Sequence, residues 1–182
     1  MIFLSWNYRR LGNLRTVGEL FRLVKIKKPT AVFLMETKFH QNEMEKLRCK
    51  MGFRNLFAVD CVDRCEGLAM LWNEDINLEI QNYSRCHINA TIKGTNGGSM
   101  WSLTGFYGHL NTEKRHEAWN LLRHLSSLAS GPWVCVGDFN EIVEAKEQFG
   151  GLRRAKGSME AFKETLAFCG LNDLGANGPF FT

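Results

Sequence analysis

Six polar residues follow short apolar runs of the sequence, at the points where those runs end. They are Asn7, Glu36, Tyr107, His109, Asp138 and Asn140. Folds that combine helices with a sheet place their active sites at strand ends, where loops meet above a rigid scaffold. Each residue taken alone is explained equally well by structure, because such side chains cap helices and brace turns. Taken together, the set has the chemistry of phosphodiester hydrolysis.

The oxygen-rich character of this set favours a magnesium site. Phosphodiester hydrolysis requires neutralisation of the phosphate charge, activation of a water molecule and stabilisation of the leaving oxygen. Mg²⁺ suits this chemistry because it needs only one or two protein carboxylates, and Mn²⁺ is the alternative ion. Glu36 is predicted to bind the ion, with an amide oxygen from Asn7. Asp138 is expected to orient or deprotonate the attacking water, while Tyr107 and Asn140 donate hydrogen bonds to phosphate oxygens.

Motifs of other hydrolytic and nucleotide chemistries do not occur in the sequence. It contains no Gly-rich phosphate loop ending in Lys-Ser or Lys-Thr, no zinc-protease histidine pair and no Gly-x-Ser-x-Gly elbow. Cys61, Cys65, Cys86 and His87 can be assembled into a zinc site, but their spacing lacks the paired knuckles of structural zinc motifs. The six cysteines are scattered through apolar runs, so we predict free thiols in a reducing compartment.

Length and composition favour one domain that covers residues 1–182. A chain of 182 residues with 45% hydrophobic content is long enough to bury a sizeable core, and no linker or repeat divides it. The net charge of +4 allows a polyanionic partner without identifying one. Basic residues form three clusters that are either solvated surface or contacts for a phosphate backbone: Arg9, Arg10 and Arg15; Lys25, Lys27 and Lys28; Arg153, Arg154 and Lys156.

The first apolar run indicates where the protein is found in the cell. Ile2 to Trp6 is too short for a signal peptide and follows no basic region, and no later run approaches membrane-spanning length. We therefore expect an intracellular protein, nuclear or cytoplasmic, that is neither secreted nor associated with a membrane.

Hydrophobic periodicity predicts the elements that position the polar set. A β-prone run at Ile2 to Trp6, a helical stripe ended by Pro29 and a strand at Ala31 to Met35 indicate a right-handed parallel crossover. This order places Asn7 and Glu36 directly after neighbouring strands of one sheet.

The remainder of the chain alternates short strands with helices. Short strands are predicted between residues 56 and 107, and the runs at 76–81 and 86–92 show the period-two alternation that is typical of strands with one buried face. A helix that Thr112 is predicted to cap follows, with a core stripe that ends at Leu128. A strand at Trp133 to Val136 then ends at Gly137 and Asp138. The predicted class is α/β, with mixed sheets and helices packed outside.

Five motifs of the sequence resemble, in the same order and at similar spacing, those of one protein family. They are Leu4-Ser5-Trp6-Asn7, Leu34-Met35-Glu36-Thr37-Lys38, Gly67-Leu68-Ala69-Met70-Leu71-Trp72, Thr104-Gly105-Phe106-Tyr107-Gly108-His109 and Gly137-Asp138-Phe139-Asn140-Glu141. The family is the endonuclease domain of plant non-LTR (LINE-type) retrotransposons, within the endonuclease/exonuclease/phosphatase superfamily that includes apurinic-site endonucleases. Each motif is short, but five in register extend the resemblance over essentially the whole chain.

The resemblance implies a fold, a reaction and partners. The fold is a DNase I-like two-sheet α/β sandwich, and the reaction is Mg²⁺-dependent nicking of DNA. Asn7 and Glu36 resemble the metal-site residues of the family. Tyr107 resembles its phosphate-contacting tyrosine, and Asp138 and Asn140 resemble its catalytic Asp and Asn. The implied partners are the phosphate backbone of DNA and a reverse transcriptase domain in a longer polyprotein.

Departures from the family pattern concern the loops and the end of the chain. His109 follows the tyrosine in close relatives and is taken as an accessory residue that braces its loop. Glu66 stands where relatives commonly have Gly, and Tyr8-Arg9-Arg10 stands where they have Cys-Arg-Gly, but neither change removes a ligand. The family continues past the turn found here at residues 178–182 into further strands and a catalytic Asp-His pair. We therefore expect a fold that is incomplete at its C-terminus and impaired nicking.

Two other functions stay open at this point. Another phosphoesterase of the superfamily, acting on nucleotides or phosphoinositides, would share the metal core and differ in its loops. A catalytically inactive retroelement fragment would bind Mg²⁺ with little turnover, because loss of one catalytic group typically costs about 10² to 10⁴ in rate.

Overall fold

The computed structural model describes residues 1–8, 14–60, 67–94, 98–148, 150 and 153–175 of the chain. The sequence predictions for Arg9, Arg10, the Arg15 side chain, Cys61, Cys65, Glu66 and the turn at 178–182 lie outside these residues. The described residues form eight strands and four α-helices, in the order β1 (Phe3–Asn7), α1 (Leu14–Lys27), β2 (Ala31–Met35), α2 (Gln41–Met51), β3 (Asn55–Val59), β4 (Leu68–Trp72), β5 (Asn77–Ser84), β6 (His87–Lys93), β7 (Trp101–Tyr107), α3 (Arg115–Leu128), β8 (Trp133–Asp138) and α4 (Lys156–Phe168).

The described strands form two mixed four-stranded sheets. Their strand orders are β1-β2-β4-β3 and β5-β6-β7-β8. Helix α1 connects the parallel strands β1 and β2, in which Asn7 lies opposite Met35. Helix α3 connects the parallel strands β7 and β8, in which Tyr107 lies opposite Asp138. The predicted two-sheet α/β class and the predicted crossover between β1 and β2 are both confirmed.

Contacts divide the chain into two compact units. The first comprises Met1–Tyr107 and Ala129–Asp138 and contains both sheets together with α1 and α2. The second comprises Gly108–Leu128 and Phe139–Thr182 and contains α3 and α4. The single domain over residues 1–182 stays a prediction. No helix within the described ranges has both the length and the apolar character that a membrane crossing requires.

Strand β2 is buried on both faces and anchors the first unit. Successive side chains of a strand point to opposite faces, so alternate residues of β2 belong to two hydrophobic clusters. One cluster contains residues of both sheets, and its members in β2 are Ala31, Phe33 and Met35. The other joins Val32 and Leu34 to residues of α1 and α2. Full burial of such side chains stabilises the fold by about 1.5–3 kcal/mol each, which fixes the strand that precedes Glu36.

The second unit has its own apolar contacts and a corrected helix start. Phe162 of α4 packs against Phe139, with ring centroids 5.7 Å apart. The residue that caps the turn before α3 is Asn111, whose side chain accepts a hydrogen bond from the backbone N–H of Glu113 at 2.9 Å. The predicted cap, Thr112, is instead the first residue of a 3₁₀ turn that leads into the helix.

Candidate active site

Four of the six predicted polar residues lie together in the first unit. Asn7 is the last residue of β1, Glu36 directly follows β2, Tyr107 ends β7 and Asp138 ends β8. Because β1 is parallel to β2 and β7 is parallel to β8, the four residues lie at the carboxyl ends of their strands. Carboxyl ends of strands are where active sites of α/β folds lie, as the sequence predicted.

A single amide group bridges the two carboxylates of this site. The Asn7 Nδ2 group donates to Oε1 of Glu36 at 2.9 Å and to Oδ2 of Asp138 at 3.0 Å. The Tyr107 hydroxyl donates to the same Glu36 oxygen at 2.8 Å. Glu36 is only 2% exposed, so its carboxylate depends on these donors rather than on water. The first unit thus concentrates two acidic groups in one hydrogen-bonded cluster.

The backbone of Glu36 adopts a conformation that L-residues rarely adopt. Its φ angle is 58°, in the left-handed region, which costs a non-glycine residue on the order of 1–3 kcal/mol. Backbone hydrogen bonds hold the flanking residues, from Tyr8 N–H to Met35 O at 2.8 Å and from Thr37 N–H to Gly67 O at 3.1 Å. Strain of this kind persists where the surrounding structure enforces it, and it clusters at functional sites.

Asp138 is placed by a close approach between β7 and β8. Gly137 precedes it with φ 148°, and a Cβ atom at Gly137 would lie 1.8 Å from the carbonyl oxygen of Phe106. The backbone N–H of Asp138 donates to Sδ of Met35 at 3.2 Å, which ties the end of β8 to the end of β2. Only glycine fits at position 137, and this close approach delivers the Asp138 carboxylate to Asn7.

The donor set fits a hard divalent cation. The Oδ1 atom of Asn7 is buried and has no hydrogen-bond partner within the described ranges, although its Nδ2 group bonds both carboxylates. A buried amide oxygen beside two carboxylates provides the oxygen ligands that Mg²⁺ prefers. No group of three or more His, Cys, Asp or Glu side chains among the described residues could hold a metal ion. An ion here would therefore be held by Glu36 and Asn7, close to the Asp138 carboxylate, which suits Mg²⁺ with its retained waters better than Zn²⁺.

The zinc alternative finds no support in the described part of the chain. His87 is 4% exposed, and its two ring nitrogens already lie 2.8 Å from hydrogen-bond partners, Ser84 Oγ and Asn82 Oδ1. The neighbouring Cys86 is a thiol, as are the other described cysteines, Cys49, Cys135 and Cys169. The His87 imidazole therefore serves its own strand pair, as a satisfied buried histidine does.

The other two predicted residues, His109 and Asn140, belong to the second unit. Asn140 has φ 53°, again in the left-handed region, and its Nδ2 group donates to Gly108 O at 2.7 Å. Nδ1 of His109 accepts a hydrogen bond from the backbone N–H of Asn111 at 3.0 Å. This bond fits the loop-bracing role expected for His109, and the catalytic role of Asn140 stays a prediction.

Sequence reasoning assigned no role to two charged residues of the second unit. Glu141 and Arg115 form an ion pair at 2.9 Å whose side chains are 0% and 4% exposed. The available signal was the place of Glu141 directly after Asn140 in the motif that begins at Gly137. Arg115 carried no signal, because an arginine at the start of an amphipathic helix ordinarily lies on its solvated face.

Comparisons with known proteins identify the fold. The sequence matches no protein-family profile and no curated protein. Among solved structures, the endonuclease domain of TRAS1, a telomere-specific non-LTR retrotransposon, aligns with a TM-score of 0.68 and 13% identity over 96% of this chain and 75% of that domain. An AP endonuclease from Archaeoglobus fulgidus aligns with a TM-score of 0.65 and 17% identity over 92% of this chain and 70% of its own length. The chain has the DNase I-like endonuclease/exonuclease/phosphatase fold.

A third neighbour shows how broadly the DNase I-like fold is used. The 3′ phosphatase NExo from Neisseria, solved with a product DNA hairpin, aligns with a TM-score of 0.60 and 16% identity over 91% of this chain and 70% of that one. The fold implied by the five motifs is thus confirmed. Within this fold, the hydrogen-bonded cluster of Asn7, Glu36, Tyr107 and Asp138 is the candidate active site.

Proposed function

We propose that this protein hydrolyses phosphodiester bonds of DNA with a divalent cation, as a nicking endonuclease of the retrotransposon type. The observation that supports this most strongly is the amide bridge, in which Asn7 holds the carboxylates of Glu36 and Asp138 while its own buried amide oxygen has no hydrogen-bond partner among the described residues. The Glu36 carboxylate and the Asn7 amide oxygen, at strand ends and beside a second carboxylate, form a ligand set for Mg²⁺.

Each residue of the cluster has a separate task in this proposal. Glu36 and Asn7 hold the cation, which when bound would neutralise charge on the phosphate and on the leaving oxygen. The Asp138 carboxylate orients the attacking water and accepts its proton. The Tyr107 hydroxyl, held at 2.8 Å from Glu36, is a donor that can turn to a phosphate oxygen as negative charge develops there. Asn140, which lies outside the cluster, is proposed as a second phosphate donor from its place in the motif Gly137-Asp138-Phe139-Asn140-Glu141 alone.

Two observations support DNA as the proposed substrate: the solved structures that share the fold, and a cluster of basic residues. The fold neighbours include a retrotransposon endonuclease domain, AP endonucleases and a phosphatase solved with a DNA hairpin. In the second unit, Arg153, Arg154 and Lys156 line one cavity. Such clustered cations bind a phosphate backbone and make the affinity depend on salt. The five sequence motifs favour the retrotransposon type within this broader group.

Nicking of supercoiled plasmid by the 182-residue chain, with Mg²⁺ or with EDTA, tests the proposal. We expect nicking with Mg²⁺ at the reduced rate predicted for this chain, none with EDTA, and a further loss of about 10³-fold in the Asp138→Ala variant, since this removes the group that activates water. Absence of Mg²⁺-dependent nicking by a folded sample would favour the inactive-fragment alternative. Nicking that survives in Asp138→Ala would instead show contamination or a different active site.

Replacement of Tyr107 by Phe isolates the hydroxyl of the cluster. The substitution removes the 2.8 Å hydrogen bond to Glu36 and keeps the ring, which is 7% exposed and belongs to the core cluster of the first unit. We expect kcat for nicking to fall about 10- to 100-fold, with a smaller effect on KM, because the donor acts mainly in the transition state. Tyr83→Phe is a matched control, since Tyr83 is 58% exposed and should tolerate the same change without loss. Equal activity in the two variants would remove Tyr107 from the reaction.

A further inference from the structure

A fully buried carboxylate lies one residue after Asn140. The Glu141 side chain is 0% exposed, and its Oε2 atom accepts hydrogen bonds from Arg115 Nη1 at 2.9 Å and from Ser158 Oγ at 2.6 Å. Ser158 belongs to α4 and Arg115 begins α3, so one carboxylate oxygen joins two helices of the second unit.

The other oxygen of Glu141 is also satisfied. Its Oε1 atom accepts a hydrogen bond from the backbone N–H of Ile142 at 3.1 Å, and Arg154 Nε lies 3.5 Å away. Burial raises the pKa of Glu141, but the hydrogen bonds from Ser158 and Ile142 and the charge of Arg115 outweigh it, so the pKa lies below its ordinary value. The group is therefore a charged carboxylate held rigidly on both oxygens.

Arg115 extends this network to a second backbone segment. Its Nε donates to the carbonyl oxygen of His109 at 3.3 Å, and its Nη2 donates to that of Leu110 at 3.4 Å. One guanidinium group thus ties the segment that follows β7 to the segment that follows β8. The planar, forked guanidinium suits such a bridge, whereas a lysine offers a single point charge.

The same two segments meet at Asn140. Its side chain donates to Gly108 O at 2.7 Å while its backbone has φ 53°. They are in close contact, because a Cβ atom at Gly108 would lie 2.0 Å from the carbonyl oxygen of Phe139. The strained residue, Asn140, is therefore held by its hydrogen bond to Gly108 and is followed directly by the buried Glu141.

Stability alone is a poor explanation for such a network. The cost of burying two charges offsets most of their attraction, and apolar residues of similar volume often stabilise a fold as well or better. A network that bonds every oxygen of one carboxylate instead fixes geometry. We propose that Glu141 and Arg115 are positioning residues that hold Asn140 in its left-handed conformation for phosphodiester hydrolysis, an inference that rests on the proposed function.

A double-mutant cycle with Asn140 tests whether Glu141 acts through that residue. We expect Glu141→Gln to lower kcat for plasmid nicking about 10- to 100-fold with KM changed less than about 3-fold. In an Asn140→Ala background the same substitution should change kcat less than about 2-fold, because the residue being positioned is already gone. A purely structural role would lower kcat by the same factor in both backgrounds and would overturn the proposal.

A second measurement does not depend on activity. Hydrogen exchange of the Asn140 side-chain amide, followed by NMR, should accelerate at least about 10-fold in Glu141→Gln as the bond to Gly108 O loosens. Ser158→Ala removes a single hydrogen bond to Glu141 and should also accelerate exchange of the Asn140 amide. This variant serves as the test if Glu141→Gln does not fold. Glu144→Gln is the matched control, since this carboxylate is 48% exposed in its ion pair with Lys146. Unchanged exchange of the Asn140 amide in both test variants would overturn the proposal that Glu141 positions Asn140. A wild-type protein that does not nick DNA would overturn only the proposed reaction.

Discussion

Replacement of Glu36 by Gln should weaken cation binding and lower the nicking rate strongly. The amide oxygen of Gln can still accept hydrogen bonds from Asn7 and Tyr107, so the site keeps its packing while one of its two carboxylates is lost. We expect the affinity for Mg²⁺ to fall at least about 10-fold and the nicking rate to fall about 10³-fold or more, because in the proposed reaction the cation would supply the charge stabilisation. Without the ion, the melting temperature should rise, since a buried carboxylate that shares its donor with Asp138 is costly.

The loss of cation affinity can be measured separately from activity. The measurements are the thermal stabilisation of the protein by Mg²⁺ and the electron paramagnetic resonance of bound Mn²⁺ as a probe. Glu79→Gln is the matched control, because Glu79 lies in an exposed ion pair with Lys93 at 2.8 Å. It should leave cation binding and nicking unchanged. A Glu36→Gln variant that is stabilised by Mg²⁺ as much as the wild type would show that the cation site lies elsewhere.

The second large effect is expected at Gly137. Alanine there places a Cβ atom 1.8 Å from the Phe106 carbonyl oxygen, which belongs to the backbone of the neighbouring strand and cannot move aside like a side chain. We expect Gly137→Ala to lower the free energy of unfolding by about 3 kcal/mol or more and to displace Asp138 from Asn7. Denaturation in urea gives the stability, and the plasmid assay gives the loss of nicking.

A second glycine provides the control for this substitution. Gly18 lies exposed in α1, and a Cβ atom there meets nothing within 4 Å. Gly18→Ala should raise stability by about 0.5–1 kcal/mol, because alanine is the better helix former. If Gly137→Ala stays within about 0.5 kcal/mol of the wild type, then β7 and β8 do not approach each other as closely as their register implies.

Periodicity predicted the elements better than it predicted their ends. The unbroken apolar run from Ala31 to Met35 indicated a buried strand, and β2 is buried on both faces. The helix start near Thr112 was wrong by one residue, because Asn111 and Thr112 are both good capping residues and only the conformation selects between them. Leu128 fits the core stripe of α3 by spacing, yet it is 50% exposed because it is the last residue of that helix.

The site was predicted in residue type but not in arrangement. The pattern of polar residues at strand ends predicted Asn7, Glu36 and Asp138 as candidate site residues, and parallel pairing and chain order place them at neighbouring strand ends. That one amide would bond both carboxylates depends on contacts between residues 131 positions apart, which no local pattern encodes. Glu141 escaped notice for a related reason, since a charged residue beside a loop is ordinarily solvated and only tertiary contacts bury it.

The two hydrogen bonds of Asn7 also bear on the order of folding and cation binding. The two amide hydrogens of Asn7 are bonded to the carboxylates of Glu36 and Asp138, so both acids have a hydrogen-bond donor in the folded protein before any cation binds. The proposed cation would then replace those amide hydrogens at a site that is already folded. In the proposed reaction, the ion concentration around the folded protein would then set the occupancy of the site, and protein that folded without the ion would be inactive until the ion bound.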